Sequence, residues 1–387
     1  MKTEKLYYKD AYLQEFEAKV LSVIAEGGVY EAVLDKTAFF PEKAGQHSDK
    51  GTLNGISVLN VREENEIIYH RTESPLREGE NCCGEIDFSD RFDKMQIHSA
   101  EHLASGIIHT LYGAENVGFH LGPQEVTFDT DLPVTQEMLD RVEALANRAI
   151  YENREITQRF PDADELSKMS YRSKLELVDE VRIVNIDGYD CCACCAPHVK
   201  HTGEIGVIKF IYSEKHKGGT RIYLLAGQRA YDYFNGLFKS AVKISTGLSA
   251  PITDIAWEVE KLRSSRAELE FELSKKSAEV AKLYAESLGE CRGNRVVYLS
   301  QLDSGVLRLY ANMAGEKTEG VMVALCGMEG DYKYVIKSST LPVEAFIKEA
   351  NSALGGKGGG RGAMAQGSFS APLAEIENFF AGLSDRI

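Results

Sequence analysis

His98 and His102 stand four residues apart in the stretch QIHSAEHL, Gln96–Leu103. The apolar residues around them, Met95, Ile97, Leu103, Ala104, Ile107, Ile108 and Leu111, recur at roughly helical spacing, and Gly113 supplies a stop. A helix here sends both imidazoles out of one face with Cβ atoms about 5 to 6 Å apart, which suits two ligands of one metal. Taken alone, such a pair is more often an ordinary surface or core pair. A second stretch, CCACCAPH (Cys191–His198), adds Cys194 and His198 from a loop interrupted by Pro197. Two nitrogens on a helix with a sulfur and a nitrogen on a loop make a zinc set, because thiolate softness favours zinc over magnesium or calcium. Spacing alone leaves Cys191, Cys192 and Cys195 as alternatives to Cys194. The CxxC pairs Cys191/Cys194 and Cys192/Cys195 also fit a redox or structural site.

The chain that must position these residues has 387 residues, enough for two or three domains, and ordinary apolar and charged fractions. Its start, MKTEKLYYKDAYLQEF, has no apolar signal core, and no apolar run approaches the roughly eighteen residues of a membrane span, so a cytoplasmic location is expected. Eight cysteines with adjacent doublets fit metal chemistry in a reducing compartment better than a disulfide framework. Cys291 and Cys326 are expected in the core. The net charge of -15 argues against a protein that coats nucleic acid indiscriminately. A local basic face is still available from Lys200, Lys209, Lys215, Lys217, Arg221, Arg229, Lys239 and Lys243, although charge runs are more often solvated surface.

Read in order, residues 1–90 alternate β-branched runs with Gly, Asn and Asp, which predicts a small β-barrel. Within it, TAFFPEKAGQHSDKG (Thr37–Gly51) reads as a turn-rich connection. Residues 91–243 combine the histidine helix, a strand pair at Val117–Leu121 and Gln124–Phe128, and a helix carrying Leu139, Val142, Leu145, Ala146, Ala149 and Ile150. Strand patterns follow at Val181–Ile186, Gly206–Tyr212 and Thr220–Leu225. The expected architecture is α+β in two layers, the histidine helix lying on an antiparallel sheet. Residues 244–289 carry Ile255, Val259, Leu262, Leu269, Leu273, Val280 and Leu283 at heptad-like spacing, predicting one long helix from near Pro251 to Gly289 that is able to pair in a homodimer. Residues 290–387 read as α/β, with strands at Val296–Leu299, Val306–Tyr310, Val321–Leu325 and Tyr332–Ile336. The run GGKGGGRGAMAQGS (Gly355–Ser368) is read as a loop whose glycines admit a phosphate and whose Lys357 and Arg361 supply charge for an RNA backbone.

Four of these segments, in this order, resemble one family. TAFFPEKAGQHSDKG is similar to the TxFYPxGGGQxxDxG segment, QIHSAEHL to the HxxxH helix and CCAPHVKHTGEIGVIKF to the CGGTHVxxTGEIG segment of the alanyl-tRNA synthetase editing domain. The glycine-rich run resembles the end of that synthetase's C-terminal, DHH-associated domain. The resemblance covers nearly the whole chain and points to the long form of the freestanding AlaX proteins. It implies a zinc-dependent hydrolase of alanine-tRNA mischarged with serine or glycine, one zinc per chain on His98, His102, Cys194 and His198, and tRNA as partner. Thr37 and Gln46 fall in the segment expected to bind the aminoacyl end, with Thr37 a candidate contact to a seryl hydroxyl. Glu101 and His120 are the nearest candidate proton carriers.

The sequence departs from the family's pattern at three places. Lys43, Ala44 and Gly45 replace GGG, Cys195, Ala196 and Pro197 replace the GGT between the ligands, and Phe119 and His120 stand where the synthetase has the glutamine of VSQKG. Two rival readings follow from the same residues. HSAEH fits the H-x-x-E-H zinc-peptidase pattern with Glu101 as base. A non-catalytic RNA-binding or regulatory protein would keep the zinc for stability. An ATP-dependent ligase is not expected, since no activation domain precedes the editing-like core.

Overall fold

The computed structural model describes residues 2–26, 28–123, 125–173 and 181–385. The chain divides into two compact units, Met1–Ala241 and Val242–Ile387. It is a mixed α and β protein in which antiparallel pairing dominates every sheet but one two-stranded pair and one edge pair.

In the first unit six strands hydrogen-bond in a closed ring, in the order Glu15–Glu26, Val29–Leu34, Ile67–Thr72, Ile56–Glu64, Gly51–Leu53 and Asn81–Ile86, the last returning to the first. Period-two burial fills the ring from alternate residues. Along Asn81–Ile86, for example, Cys82 faces in and Cys83 faces solvent. Phe16, Leu34, Phe39, Phe40, Leu53, Val61 and Ile68 form its interior.

The histidine helix, Phe88–Tyr112, follows directly. The Asp87 side chain caps its first turn by accepting from Asp90 N, and Gly113 ends it in the left-handed region at φ 67°. Between Lys94 and Ile108 every residue except the half-buried Gln96 is buried, so this is a core helix covered on nearly all sides. Its apolar side chains share one core with Leu139, Val142 and Ala146 of a second helix, Gln136–Glu152, and with Phe128, Ile222 and Leu224 of an antiparallel sheet. That sheet runs in the order Ile208–His216, Gly219–Ala226, Val126–Thr130, Asn116–Leu121. The expected strand starting at Gln124 begins at Val126; Gln124 itself lies outside the described residues. A smaller sheet, Ile156–Arg159, Ile183–Ile186 and Asp190–Ala193, delivers the chain to the cysteine loop.

In the second unit the long helix spans Ile255–Ser287, 33 residues and about 50 Å. Val259, Leu262, Leu269, Leu273, Val280 and Leu283 are exposed along it, and Leu269 is 70% accessible. A five-stranded sheet follows in the order Arg295–Tyr298, Val321–Met328, Asp331–Ser338, Met364–Phe369, Lys357–Arg361.

Three expectations are corrected here. Val306–Tyr310 lies in a helix, Ser304–Glu316, because Val306, Leu307, Tyr310, Ala311 and Ala314 repeat at three and four residues and Asp303 caps the start. Gly355–Ser368 is largely a hairpin, with Lys357–Arg361 paired to Met364–Phe369 in register, and not a loop. The glycines are needed there, since a Cβ at Gly360 would collide with the Met364 carbonyl and one at Gly367 with that of Lys357. Cys326 is buried as expected, but Cys291 is half-exposed, its thiol donating to the Gly293 carbonyl at 3.5 Å. No helix among the described residues is long and apolar enough to cross a membrane.

Candidate metal centre

One potential ligand atom from each of His98, His102, Cys194 and His198 lies within 4.8 Å of the other three. The helix contributes the first two and the loop after Asp190–Ala193 the others, so two segments nearly a hundred residues apart converge. The imidazole centroids are 5.5 Å apart for His98–His102, 5.0 Å for His98–His198 and 4.7 Å for His102–His198. The Cys194 sulfur sits 3.6 Å from His98 Nε2 and 3.4 Å from His198 Nε2.

Each ring is held through its other nitrogen. His98 Nδ1 lies 2.9 Å from Gln46 Oε1, His102 Nδ1 3.1 Å from Asp190 Oδ2, and His198 Nδ1 3.1 Å from Ser99 Oγ. An Nδ1–H donated to each oxygen leaves the Nε2 lone pair facing the thiolate, which is the tautomer a metal ligand needs. Asp190 is itself held by the Arg172 guanidinium at 2.8 Å, and Arg172 also donates to Ser105 Oγ. Arg182 fastens the loop: its guanidinium donates to the carbonyls of Cys194 and Ala196 at 2.9 and 2.8 Å, while its own carbonyl accepts from Cys194 N.

The electrostatics fit a cation. Burial pushes the Cys194 thiol upward, but the three imidazoles outweigh it and hold the thiol well below its ordinary range. Burial pulls His198 down to about 3, with Cys194 offsetting part of the effect, so that ring stays neutral. For His102 burial is outweighed by Cys194, Cys192 and Asp190, which raise it and draw a positive charge to this spot. Three buried imidazoles, each oriented by a partner, and the half-buried Cys194 sulfur are able to hold a metal ion.

A second grouping, His102, Asp190 and Cys192, shares His102 with the first. Its carboxylate is already bonded to His102 Nδ1 and to Arg172, the arrangement of an orienting partner. Among the alternative cysteines, Cys191 and Cys192 face opposite sides of their strand, and Cys195 packs against the interior of the strand ring. All eight thiols are free, so neither CxxC pair is joined.

The other sequence candidates are dispersed. Gln46 is buried and bonded to His98, so it acts on a candidate ligand. Thr37 is fully buried inside the ring. Its oxygen accepts from Phe39 N at 3.1 Å and lies 2.8 Å from His70 Nε2, whose Nδ1 is 3.2 Å from the Ala32 carbonyl. Donation from His70 to Ala32 leaves Nε2 to accept the Thr37 hydroxyl proton. The Glu101 carboxylate accepts from Asn116 in the core and is not among the four clustered groups. His120 is exposed and lines an open pocket of about 180 Å³ with Glu42, Lys43, Gly45, Gln46 and His47. Lys357 and Arg361 are exposed at the two ends of the edge strand. Lys357 lines a separate pocket of about 410 Å³ with Ser304, Lys333, Tyr334, Gln366 and Ser368, and Arg361 does not. Of the basic run after the cysteines, Lys200, Lys209, Arg221 and Arg229 are paired with Asp10, Glu143, Asp129 and Asp93.

Asp190, Ser99, Arg172 and Arg182 have no signature in the sequence beyond lying in or near the two motifs. Their partners are 12 to 99 residues away along the chain.

Comparison with known proteins agrees with the segments singled out. Residues 181–223 match the threonyl and alanyl tRNA synthetase second additional domain, and residues 293–387 match the DHHA1 domain. The alanyl-tRNA editing protein AlaX-L of Pyrococcus horikoshii is 28% identical over 96% of this chain and 96% of its own length. The alanyl-tRNA editing protein Aarsd1 of Mus musculus is 28% identical over 94% of this chain and 93% of its own. An alanine–tRNA ligase of Thermococcus kodakarensis is 30% identical over 97% of this chain, which spans only 42% of that ligase. The chain is thus similar from end to end to the AlaX-type alanyl-tRNA editing proteins, the family its four motifs resemble.

Proposed function

We propose that this protein is a zinc-dependent hydrolase that deacylates alanine-tRNA mischarged with serine or glycine, acting in trans in the cytoplasm. The observation that carries this reading is the convergence of His98, His102, Cys194 and His198 in a chain whose full-length relatives include alanyl-tRNA editing proteins. These four residues would hold one zinc, which when bound supplies Lewis-acid polarisation and orientation for an ester carbonyl. Four protein donors already make a tetrahedral set, so positioning of the ester falls largely to neighbouring side chains. The pocket beside Gln46 offers Lys43, His47 and His120 to an anionic acceptor end. Of the two candidate proton carriers His120 is the better placed, being exposed on that pocket while the Glu101 carboxylate is bonded within the core. The same disposition of Glu101 disfavours a peptidase, which would need it as base.

In this reading residues 1–90 and 91–243 carry the hydrolytic function. The 290–387 domain binds tRNA through Lys357 and Arg361, and the long helix of 244–289 pairs two copies through its exposed apolar seam. One observation favours the non-catalytic alternative: the Thr37 hydroxyl is engaged with His70, so a seryl contact would have to share it. The test is a deacylation panel of zinc-replete protein against seryl, glycyl and alanyl esters of alanine tRNA. Seryl ester is expected to be cleaved much faster than alanyl ester, and Thr37→Val to narrow that ratio. Binding of tRNA without cleavage of any ester would replace this reading with the non-catalytic one. Sedimentation of the full chain as a monomer at micromolar concentration would remove the homodimer.

A further inference from the structure

The three rings are not anchored alike. Ser99, on the helix of His98 and His102, holds His198, and Asp190, four residues before Cys194, holds His102, so these two anchors come from the same two segments that carry the ligands. Gln46 comes instead from the segment between two ring strands, 52 positions before His98. That segment is fixed to the helix and sheet at several points. Lys43 N donates to Gln46 O and Gln46 N to Lys43 O, both at 3.2 Å, closing a tight turn over Ala44 and Gly45 at φ 57° and 76°. Leu121 N donates to Gly45 O at 2.7 Å, and a Cβ on Gly45 would collide with the Phe119 carbonyl, so the turn lies flush on the strand Asn116–Leu121. Three residues on, Lys94 Nζ reaches Ser48 O at 2.8 Å, and the buried Arg91 guanidinium grips Asp49 and the Ala38 carbonyl. Arg91, Lys94 and His98 follow one another at helical spacing, so one helix stripe holds the whole segment.

We propose that Gln46 is a positioning residue for the metal: it fixes the tautomer and rotation of His98, and through it the docked Lys43–Gln46 turn governs metal retention. The assignment rests on the metal reading above and revises the expectation that Gln46 binds substrate. His98 is 2% exposed and its ring lies against Phe119 with centroids 4.8 Å apart, so no solvent is at hand to replace a lost acceptor. With an apolar side chain at position 46 the Nδ1–H would lose its partner in the core. The proton would then move to Nε2 or the ring would rotate, and either removes the lone pair that faces the Cys194 sulfur.

The experiment uses the full chain, stripped by chelator and titrated with cobalt(II), read by its thiolate charge-transfer and visible ligand-field bands, with zinc affinity measured by competition. Gln46→Leu is expected to weaken binding about 10- to 100-fold and to alter the ligand-field bands. Gln46→Glu, which keeps an acceptor of the same length, should stay within about threefold of the parent. Gly45→Ala, which lifts the turn without touching the amide, should weaken binding in the same direction as Gln46→Leu. Parent-like affinity and spectra in both Gln46→Leu and Gly45→Ala would overturn the proposal. A parent chain that takes up no cobalt would overturn the metal reading itself, and this proposal with it.

Discussion

His98, His102 and His198 are at most 3% exposed, and each has a named partner on its outer nitrogen. Lys357 and Arg361, in the other unit, stand exposed at the ends of an edge strand. The first arrangement spends folding energy to hold polar groups dry and aimed, and such groups are intolerant of small displacements. The second leaves its charges in water, where each contributes modestly and responds to salt. If the buried cluster does the chemistry and the edge strand does the holding, damage to the two regions must differ in kind as well as in size.

The sharpest test of the contrast is at the ligands. His102→Ala or Cys194→Ala should reduce zinc from about one per chain to a small fraction and lower deacylation by about a thousandfold or more. Zinc retained in full by both variants would mean the cluster is not the metal site.

The next effect is on stability. Arg91 and Asp49 form an ion pair with both side chains fully buried, and Asp49 also accepts from Phe40 N. Arg91→Met should cost about 3–5 kcal/mol by urea unfolding, because it strands a carboxylate in the core, and Asp49→Asn in the same chain should recover part of the loss. A cost under 1 kcal/mol would show that the segment carrying Gln46 is not held as rigidly as its bonds imply.

The third prediction concerns pH. Burial pulls His70 down to about 4, only partly offset by its bond to the Ala32 carbonyl. Its folded value is therefore below its unfolded one, near 6.5, and in the window between them the unfolded chain binds the extra proton. The stability from neutral His70 is present above that window and is lost as pH falls through it, about 3 kcal/mol in all. His70→Gln should flatten the dependence of unfolding free energy on pH between about 6.5 and 4; an unchanged slope would reject it.

The smallest effect is expected at the exposed site. Lys357→Ala or Arg361→Ala should weaken tRNA binding a few-fold and lower the salt slope by about one each, with turnover at saturating tRNA unchanged. Turnover lost at saturation would erase the contrast between the two regions.

What the sequence revealed follows the same division between local and distant causes. The histidine helix was legible because its apolar repeat and Gly113 stop lie within one short stretch. Cys194 could be preferred over its neighbours only through the family's spacing, and the structure supplies the geometric reason in Arg182, which clamps the carbonyls on either side of Cys195. Gln46 is legible only as part of the segment expected at the aminoacyl end; its bond to His98, 52 positions away, is encoded by no local pattern. The helix Ser304–Glu316 was misread as a strand because Val306, Leu307 and Tyr310 favour either state; Asp303 and the repeat continuing through Ala311 and Ala314 were the available signals. The glycine hairpin was missed for the opposite reason. Glycine disfavours strands on its own, and only the close approach of Met364–Phe369 makes it the residue required.

That hairpin has a consequence for how the molecule behaves in a crowded solution. An edge strand normally offers a template on which another chain can add, with side chains interlocking as it does so. The edge here reads KGGGR: a cation at each end to repel a like neighbour, and between them three residues with nothing to interdigitate. All five of its residues stay exposed while the strand remains a poor seed for aggregation, so this border persists with little more than Asn351 of the helix Ile347–Ala353 reaching its Gly358 carbonyl.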